Sequence, residues 1–449
     1  MSELLPRMAR WAVALEARHL DESTLLQARI LLLDTLGCAL AARHHPIVRK
    51  AAAVASALMG VGPVTGLGTG LKRSPMGAVL DSGSAIRALD FNDFYWGPSS
   101  GGHPSDMFSV ALAVGEENNS TLEDFLCAVV VGYDFYLRLA DLMDIEPFDH
   151  TTSGAIGSAA IAAKLLNLDE TRFSHALSLA MLRGPALSAV RFGHISEVKG
   201  LAAAIACLNG LLSARLAYEG VTGPVDSIEG QRGLRAFLRK DADLDHLVPA
   251  TAGQPMIGSV TIKRFPSMGT SQASASVALQ LHQRLNGRTE RIKAMTFRIS
   301  DSPLTRHQIT GPYRRPNNRE TADHSFPAVT AMTLADGGLS RQQFERNRFL
   351  DADVLELIDR TQFVCDLGGV NDGSYPAHVT AMLDDHSVVT EEVDYAPGHP
   401  RNPMSPDRAT EKFLECSIGV LPTRAAERVC SLCLQGQDIT IRDVLAELA

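Results

Sequence analysis

At 449 residues, with 45% hydrophobic and 21% charged side chains, the chain has the balance of a folded globular protein and is long enough for two domains. A net charge of −9 without any basic run argues against a nucleic-acid binder, because neutralising phosphates takes clustered Lys and Arg. No stretch approaches the roughly 20 uninterrupted apolar residues of a membrane span, and the charged start MSELLPRMARWAVALEARHLDE lacks the apolar core of a signal peptide, so a cytoplasmic protein is expected.

The first half reads as helices. Leu25, Leu26, Arg29, Leu32, Leu33 and Leu36 form a helical stripe that Gly37 and the small residues after it are expected to close. The most apolar segment, Ile30 to Ala42, is interrupted by Asp34 and reads as a buried helix. Five glycines between Gly60 and Gly70 lack the spacing of a phosphate-binding loop and read as a turn between packed elements. ALDFND (88–93) and GGHPSD (101–106) follow, a Gly- and Pro-marked loop running into a helix from Met107. A carboxylate and an imidazole held by such a loop suit general acid/base work; the plainer reading is a helix start capped by Ser105 or Asp106.

Ser120 and Glu123 predict a capping box before a helix from Phe125 to Leu139. FDHTTSG (148–154) again precedes a helix, setting His150 where outward-pointing N–H groups favour an anion. Asp169 predicts the cap of a helix through Phe173 to Met181. Ser153–Ala163 and Gly200–Ala206 are rich in small residues that let helices approach closely, which places them at the centre of a helical domain. Glu197-Val198-Lys199-Gly200 brings a lysine to the start of the second.

Near residue 257 the pattern changes. Strands are predicted at Ser259–Phe265, Ile292–Ser300, His378–Leu383 and Val388–Tyr395, the last two joined as a hairpin by Asp384-Asp385-His386. Helical patterns at 270–285, 325–336 and 351–361 separate them, an α+β layer. Lys263-Arg264-Phe265-Pro266 sets two adjacent cations at a strand end, suited to carboxylates: Arg by its planar fork, Lys as a point charge. RETADHS (319–325) opens another helix and carries His324. After the turn-rich Pro397–Pro406, a helical tail is expected to rejoin the first domain. The seven cysteines are scattered and odd in number, as free thiols in a reducing compartment would be, and the lone Cys430-x-x-Cys433 reads as core packing rather than a metal site. Neither G-x-S-x-G nor H-E-x-x-H occurs, so a hydrolase triad and a zinc protease lack support.

In their order and spacing, LLLDTLGCALAA (31–42), ALDFND (88–93), GHPSD (102–106), HTTSGAIGSAAIAAKLLNLD (150–169), KRFP (263–266), ETADHS (320–325) and GHPRNPMS (398–405) resemble the MmgE/PrpD family over nearly the whole chain. Members dehydrate 2-methylcitrate, decarboxylate cis-aconitate or epimerise iminodisuccinate. The resemblance implies a mainly α fold: a large all-helical domain from 1–257 and 397–449, and a smaller α+β lid domain from 258–396. It also implies a homodimer, an active site between the two domains, and no metal or organic cofactor. By that resemblance Asp90, His103, His150, Lys199, Lys263 and His324 are the site residues; Asp90, His103, His150 and Lys199 are expected to be catalytic, and Lys263 and His324, with the neighbouring Arg264, substrate-binding. Four positions depart from the family pattern: Arg87 where His is usual, Met268 where decarboxylase-like members have His, Thr270 where dehydratase-like members have His, and Ala328 where Tyr is common. The expected reaction is loss of water from a 2-methylcitrate-like acid, begun by removing a proton next to a carboxylate. Epimerisation or decarboxylation of a related acid is the alternative, and a non-catalytic carboxylate-binding protein the second.

Overall fold

The computed structural model describes residues 3–143, 147–191, 196–250, 253–370 and 372–448. The fold is mainly helical with small sheets, and the chain divides into two compact units. Met1–Ala88, Asn92–Val260 and Ser405–Ala449 form the larger; Leu89–Phe91 and Thr261–Met404 form the smaller. The boundaries fall a few residues beyond those read from the sequence, and three residues of the ALDFND stretch group with the smaller unit.

In the larger unit, Asp21 caps the helix Glu22–Ala41 by accepting from Thr24 N–H at 2.7 Å. Gly37 does not end this helix, contrary to expectation. Its missing side chain lets Phe413 of the tail helix Pro406–Ser417 come close, since a Cβ there would meet the Phe413 ring at 3.3 Å. By length and composition alone Glu22–Ala41 would reach across a bilayer, but most of it is packed inside the unit. Its Asp34 pairs with Lys412 at 2.6 Å, both buried. The expected capping box before Leu122–Leu142 does not form; a single cap falls one residue later, where Thr121, not Ser120, accepts from Asp124 N–H at 3.1 Å. Asp169 caps Glu170–Arg183 as expected, accepting from Arg172 N–H at 2.8 Å.

The first small-residue segment lies in Thr151–Leu165 and the second runs into the start of Ala202–Tyr218, and these two helices pack against each other. A Cβ at Gly210 would stand 2.5 Å from the Ala155 carbonyl, so the two backbones touch where only glycine fits. The tail adds Thr423–Gln435 and Ile441–Ala446. Cys430 and Cys433 are free and buried on the first of these, and burial pushes both thiols up, Cys430 to about 11. They pack the core.

The smaller unit is built on a four-stranded sheet. Ile292–Ser300 runs parallel to Thr361–Leu367 on one side and antiparallel to Ala377–Leu383 on the other, and Val388–Val393 forms the far edge. Ala377, Val379, Ala381 and Leu383 alternate into a core shared with Gln272–Arg284 and Phe326–Asp336. The expected strand at Ser259–Phe265 does not form. Its backbone finds other partners: Ile262 N–H donates to the Gly398 carbonyl at 3.0 Å, and the amides of Arg264 and Phe265 donate to Gln272 Oε1. Thr361–Leu367, unforeseen as a strand, follows directly on the helix Ala352–Asp359.

Candidate active site

In the larger unit two histidines face each other. His103 stands before Pro104, which keeps it out of the helical region and opens the short turn Pro104–Met107. His150 immediately precedes Thr151–Leu165 and leaves that helix without a side-chain cap. The rings lie 5.2 Å apart, nearly perpendicular. Neither Ser105 nor Asp106 caps the helix Phe108–Asn118, so the plainer reading of the GGHPSD loop fails. Both turn inward instead. The Asp93 carboxylate accepts from Ser105 N–H (3.0 Å), Ser105 Oγ (2.6 Å) and Tyr133 Oη (2.9 Å). Asn92 Nδ2 donates to Ser105 Oγ and to Asp106 Oδ1, each at 2.9 Å.

Burial dominates the electrostatics here. It lifts Asp93 to about 6 against its hydrogen bonds, and Asp106 to about 7 against the opposing charge of Arg87 and Arg191. Burial would raise Asp149 as well, but the charges of His150 and Arg191, with Arg191 Nε at 2.6 Å, hold that carboxyl below its usual range.

Tyr136, on Leu122–Leu142, joins the pair: its hydroxyl accepts from His103 N–H at 3.1 Å and lies 3.1 Å from His150 Nδ1. His103 Nδ1 lies 2.6 Å from the Asp93 carbonyl oxygen. Gly102 (φ +153°) makes this possible, because a Cβ there would stand 2.1 Å from Tyr136 Oη and 2.6 Å from His150 Nδ1. Lys199 is buried on the turn Glu197–Gly200, which leads into the helix packed on Thr151–Leu165.

The smaller unit carries a second cluster. Asp90 adopts a left-handed backbone (φ +50°), tolerable for Asp, and both its carbonyl (2.9 Å) and its Oδ1 (2.6 Å) accept from the fully buried Lys263 Nζ. His324 Nε2 lies 3.3 Å from Asp90 Oδ2, and its Nδ1 contacts Asp323. Asp90, Asp323 and His324 offer three ligand atoms within 4.8 Å of one another, enough to consider a metal ion. The Lys263 ammonium, however, already supplies the positive charge at Asp90 through Oδ1, and a divalent ion at Oδ2 would share that carboxylate with a fixed cation. The cluster is suited to holding and moving protons beside a fixed cation.

Arg264 is in the same loop, anchored through its amide to Gln272. The departures from the family pattern are packed positions: Met268 donates its amide to the Asp323 carbonyl, Thr270 Oγ1 donates to Gln308, and Ala328 is buried in the first turn of Phe326–Asp336. Arg87 is buried at the end of Pro75–Arg87, where its charge acts on Asp106. Tyr136, Asp93 and Asp323 were not singled out from the sequence. Asp93 and Asp323 had a signal, their places in ALDFND and in ETADHS beside His324; Tyr136 had none.

Known proteins resemble the chain along most of its length. Residues 6–247 match the MmgE/PrpD N-terminal domain and residues 265–435 the MmgE/PrpD C-terminal domain. Human cis-aconitate decarboxylase is 24% identical, covering 97% of this chain and 92% of its own length. The 2-methylcitrate dehydratase of Cupriavidus necator is 27% identical (83% and 81%), and that of Escherichia coli 25% (91% and 89%). With matched domains spanning most of its length and relatives aligned almost end to end, the chain belongs to the MmgE/PrpD family.

Proposed function

We propose that the chain is a carbon–oxygen lyase that removes water from a small hydroxy-polycarboxylate of the 2-methylcitrate type. The observation that carries this reading is the facing pair His103 and His150, 5.2 Å apart in a network of buried carboxyls. A proton next to a carboxylate is weakly acidic, and removing it builds negative charge on that carboxylate. One imidazole takes the proton and the other protonates the departing hydroxyl, so that water leaves and a carbon–carbon double bond forms. Lys199, Lys263 and Arg264 seat carboxylates and stabilise the developing charge. Asp90 fixes the Lys263 ammonium, and His324 beside it is a substrate-binding group. No cofactor enters this scheme. The reading extends to a homodimer working in the cytoplasm.

Decarboxylation is the second reading, favoured by the human relative, whose name is cis-aconitate decarboxylase. Met268, where decarboxylase-like members carry histidine, weighs against it.

Incubation with 2-methylcitrate, citrate and cis-aconitate in heavy water, followed by mass spectrometry, separates the reactions. Loss of water supports the dehydratase. Deuterium uptake without further change means an epimerase, and release of carbon dioxide a decarboxylase. His103→Ala and His150→Ala should each lower turnover at least about a hundredfold in folded protein. Wild-type turnover in both would end this assignment.

A further inference from the structure

We propose that Gln272 is a positioning residue of the candidate site: its side-chain amide holds the loop Lys263–Met268 in one shape and thereby sets the Lys263 ammonium and the Asp323–His324 pair. In the lyase reading, on which this rests, Lys263 seats a carboxylate, so the place of its charge governs how the acid binds.

The loop poses a problem that regular structure does not solve. Lys263, Phe265, Pro266, Ser267 and Met268 are buried, yet the segment is neither helix nor strand. Buried backbone groups outside a ladder need other partners, and leaving them unpaired is costly. Gln272, itself buried at the start of Gln272–Arg284, supplies them. Its Oε1 accepts from the amides of Arg264 (3.0 Å) and Phe265 (3.1 Å). Its Nε2 hydrogens are shared among the carbonyls of Phe265 (3.0 Å), Ser267 (3.3 Å) and Met268 (3.4 Å) and the Ser267 Oγ (3.2 Å). One side chain thus bonds four of the five residues that follow Lys263.

Two parts of the site hang from the ends of this net. Upstream, the Ile262 amide donates to the Gly398 carbonyl at 3.0 Å, so Lys263 lies between two tethered residues and its flexible stem starts from a fixed point. Its Nζ then reaches the Asp90 carbonyl and Oδ1. Downstream, the Met268 amide donates to the Asp323 carbonyl at 2.9 Å, which ties the same loop to the residue beside His324. Gln272 acts on both through the backbone, the supporting shell that a precisely placed charge requires.

The test is the full-length protein carrying Gln272→Met, which removes these hydrogen bonds at similar length, or Gln272→Asn, which keeps the amide but one methylene short of the loop. Acetylation by acetic anhydride, read lysine by lysine in the mass spectrometer, is measured together with backbone hydrogen exchange. In both variants Lys263 should react at least about tenfold faster than in wild type, because each hydrogen bond lost lowers the cost of opening the loop. Lys412, buried against Asp34 in the larger unit, and the amides of the strand Ile292–Ser300 should stay as protected as in wild type. With 2-methylcitrate as substrate, KM should rise about tenfold while kcat falls less, the split expected when binding rather than the chemical step loses a contact. Lys263 as unreactive as in wild type overturns the proposal. So does Lys263 exposed only together with the strand amides, because Gln272 would then support the whole unit rather than the loop, and so does an unchanged KM in a variant whose Lys263 is loosened. Faster acetylation of Lys263 with the strand still protected, in a protein whose wild type turns over none of the acids, upholds the positioning role and removes the reaction reading instead.

Discussion

Replacing Gly102 by alanine tests the site with a single methyl group. The added Cβ would stand 2.1 Å from Tyr136 Oη and 2.6 Å from His150 Nδ1. Carbon cannot approach oxygen or nitrogen so closely, so both rings must retreat by roughly 1 Å, a misplacement that costs about a hundredfold in rate at a reacting centre. Overpacking of this kind also costs about 1–3 kcal/mol of stability. Gly154→Ala, four residues beyond His150 on the adjoining helix, is the control. Its Cβ would meet nothing nearer than Tyr136 Cε2 at 3.7 Å, an ordinary contact, and alanine inside a helix contributes up to about 1 kcal/mol over glycine. Steady-state kinetics and urea unfolding on the two variants should therefore diverge: Gly102→Ala slow and weakened, Gly154→Ala active and equally or more stable. A Gly102→Ala enzyme with wild-type turnover would refute the close approach of these residues.

The buried ion pair predicts a different response. Lys412→Met strands the Asp34 carboxylate and should cost about 3–5 kcal/mol in urea unfolding, whereas Asp34→Leu with Lys412→Met should recover most of the loss, because two apolar residues leave no buried charge. Equal losses in the single and double variants would contradict this. Stability should also depend on pH through Asp106. Its folded value, about 7, lies above the unfolded 3.8, so between those pH values the native state binds more protons and stability falls as pH rises, by up to about 1.4 kcal/mol per pH unit. Asp106→Asn keeps the oxygen that accepts from Asn92 and should flatten that decline between pH 5 and 7; a wild-type minus variant difference that does not change with pH would count against the raised carboxyl.

The histidines were legible because polar motifs stood out against apolar, small-residue helices, and the helices because their periodicity is strong. Tyr136 was not. It sits in VVVGYDFYL, where a tyrosine reads as core filling, and its role arises only when Gly102 and His150 come within touching distance of it. Asp90 and Lys263 meet across 173 residues, a separation no local pattern encodes. The slipped cap before Leu122–Leu142 has a plain cause: Ser120–Glu123 and Thr121–Asp124 both satisfy the same spacing, and local sequence cannot choose between them. Ser259–Phe265 has the composition of a strand but lacks a neighbour to pair with, its amides being taken by Gly398 and Gln272. Thr361–Leu367 is a sheet edge where Gln362 and Asp366 are exposed on one side and the apolar Val364 between them interrupts the alternation a strand normally shows.

The larger unit is made from both ends of the chain, and this matters while the protein is being synthesised. The face of Glu22–Ala41 around Asp34 and Gly37 stays uncovered until Lys412 and Phe413 emerge. At 5–20 residues per second, the roughly 380 residues between them take on the order of 20–75 s to translate. Through that interval the nascent chain exposes an apolar helix carrying an unneutralised carboxylate, the kind of surface on which chaperones act and at which premature termination would yield an insoluble fragment.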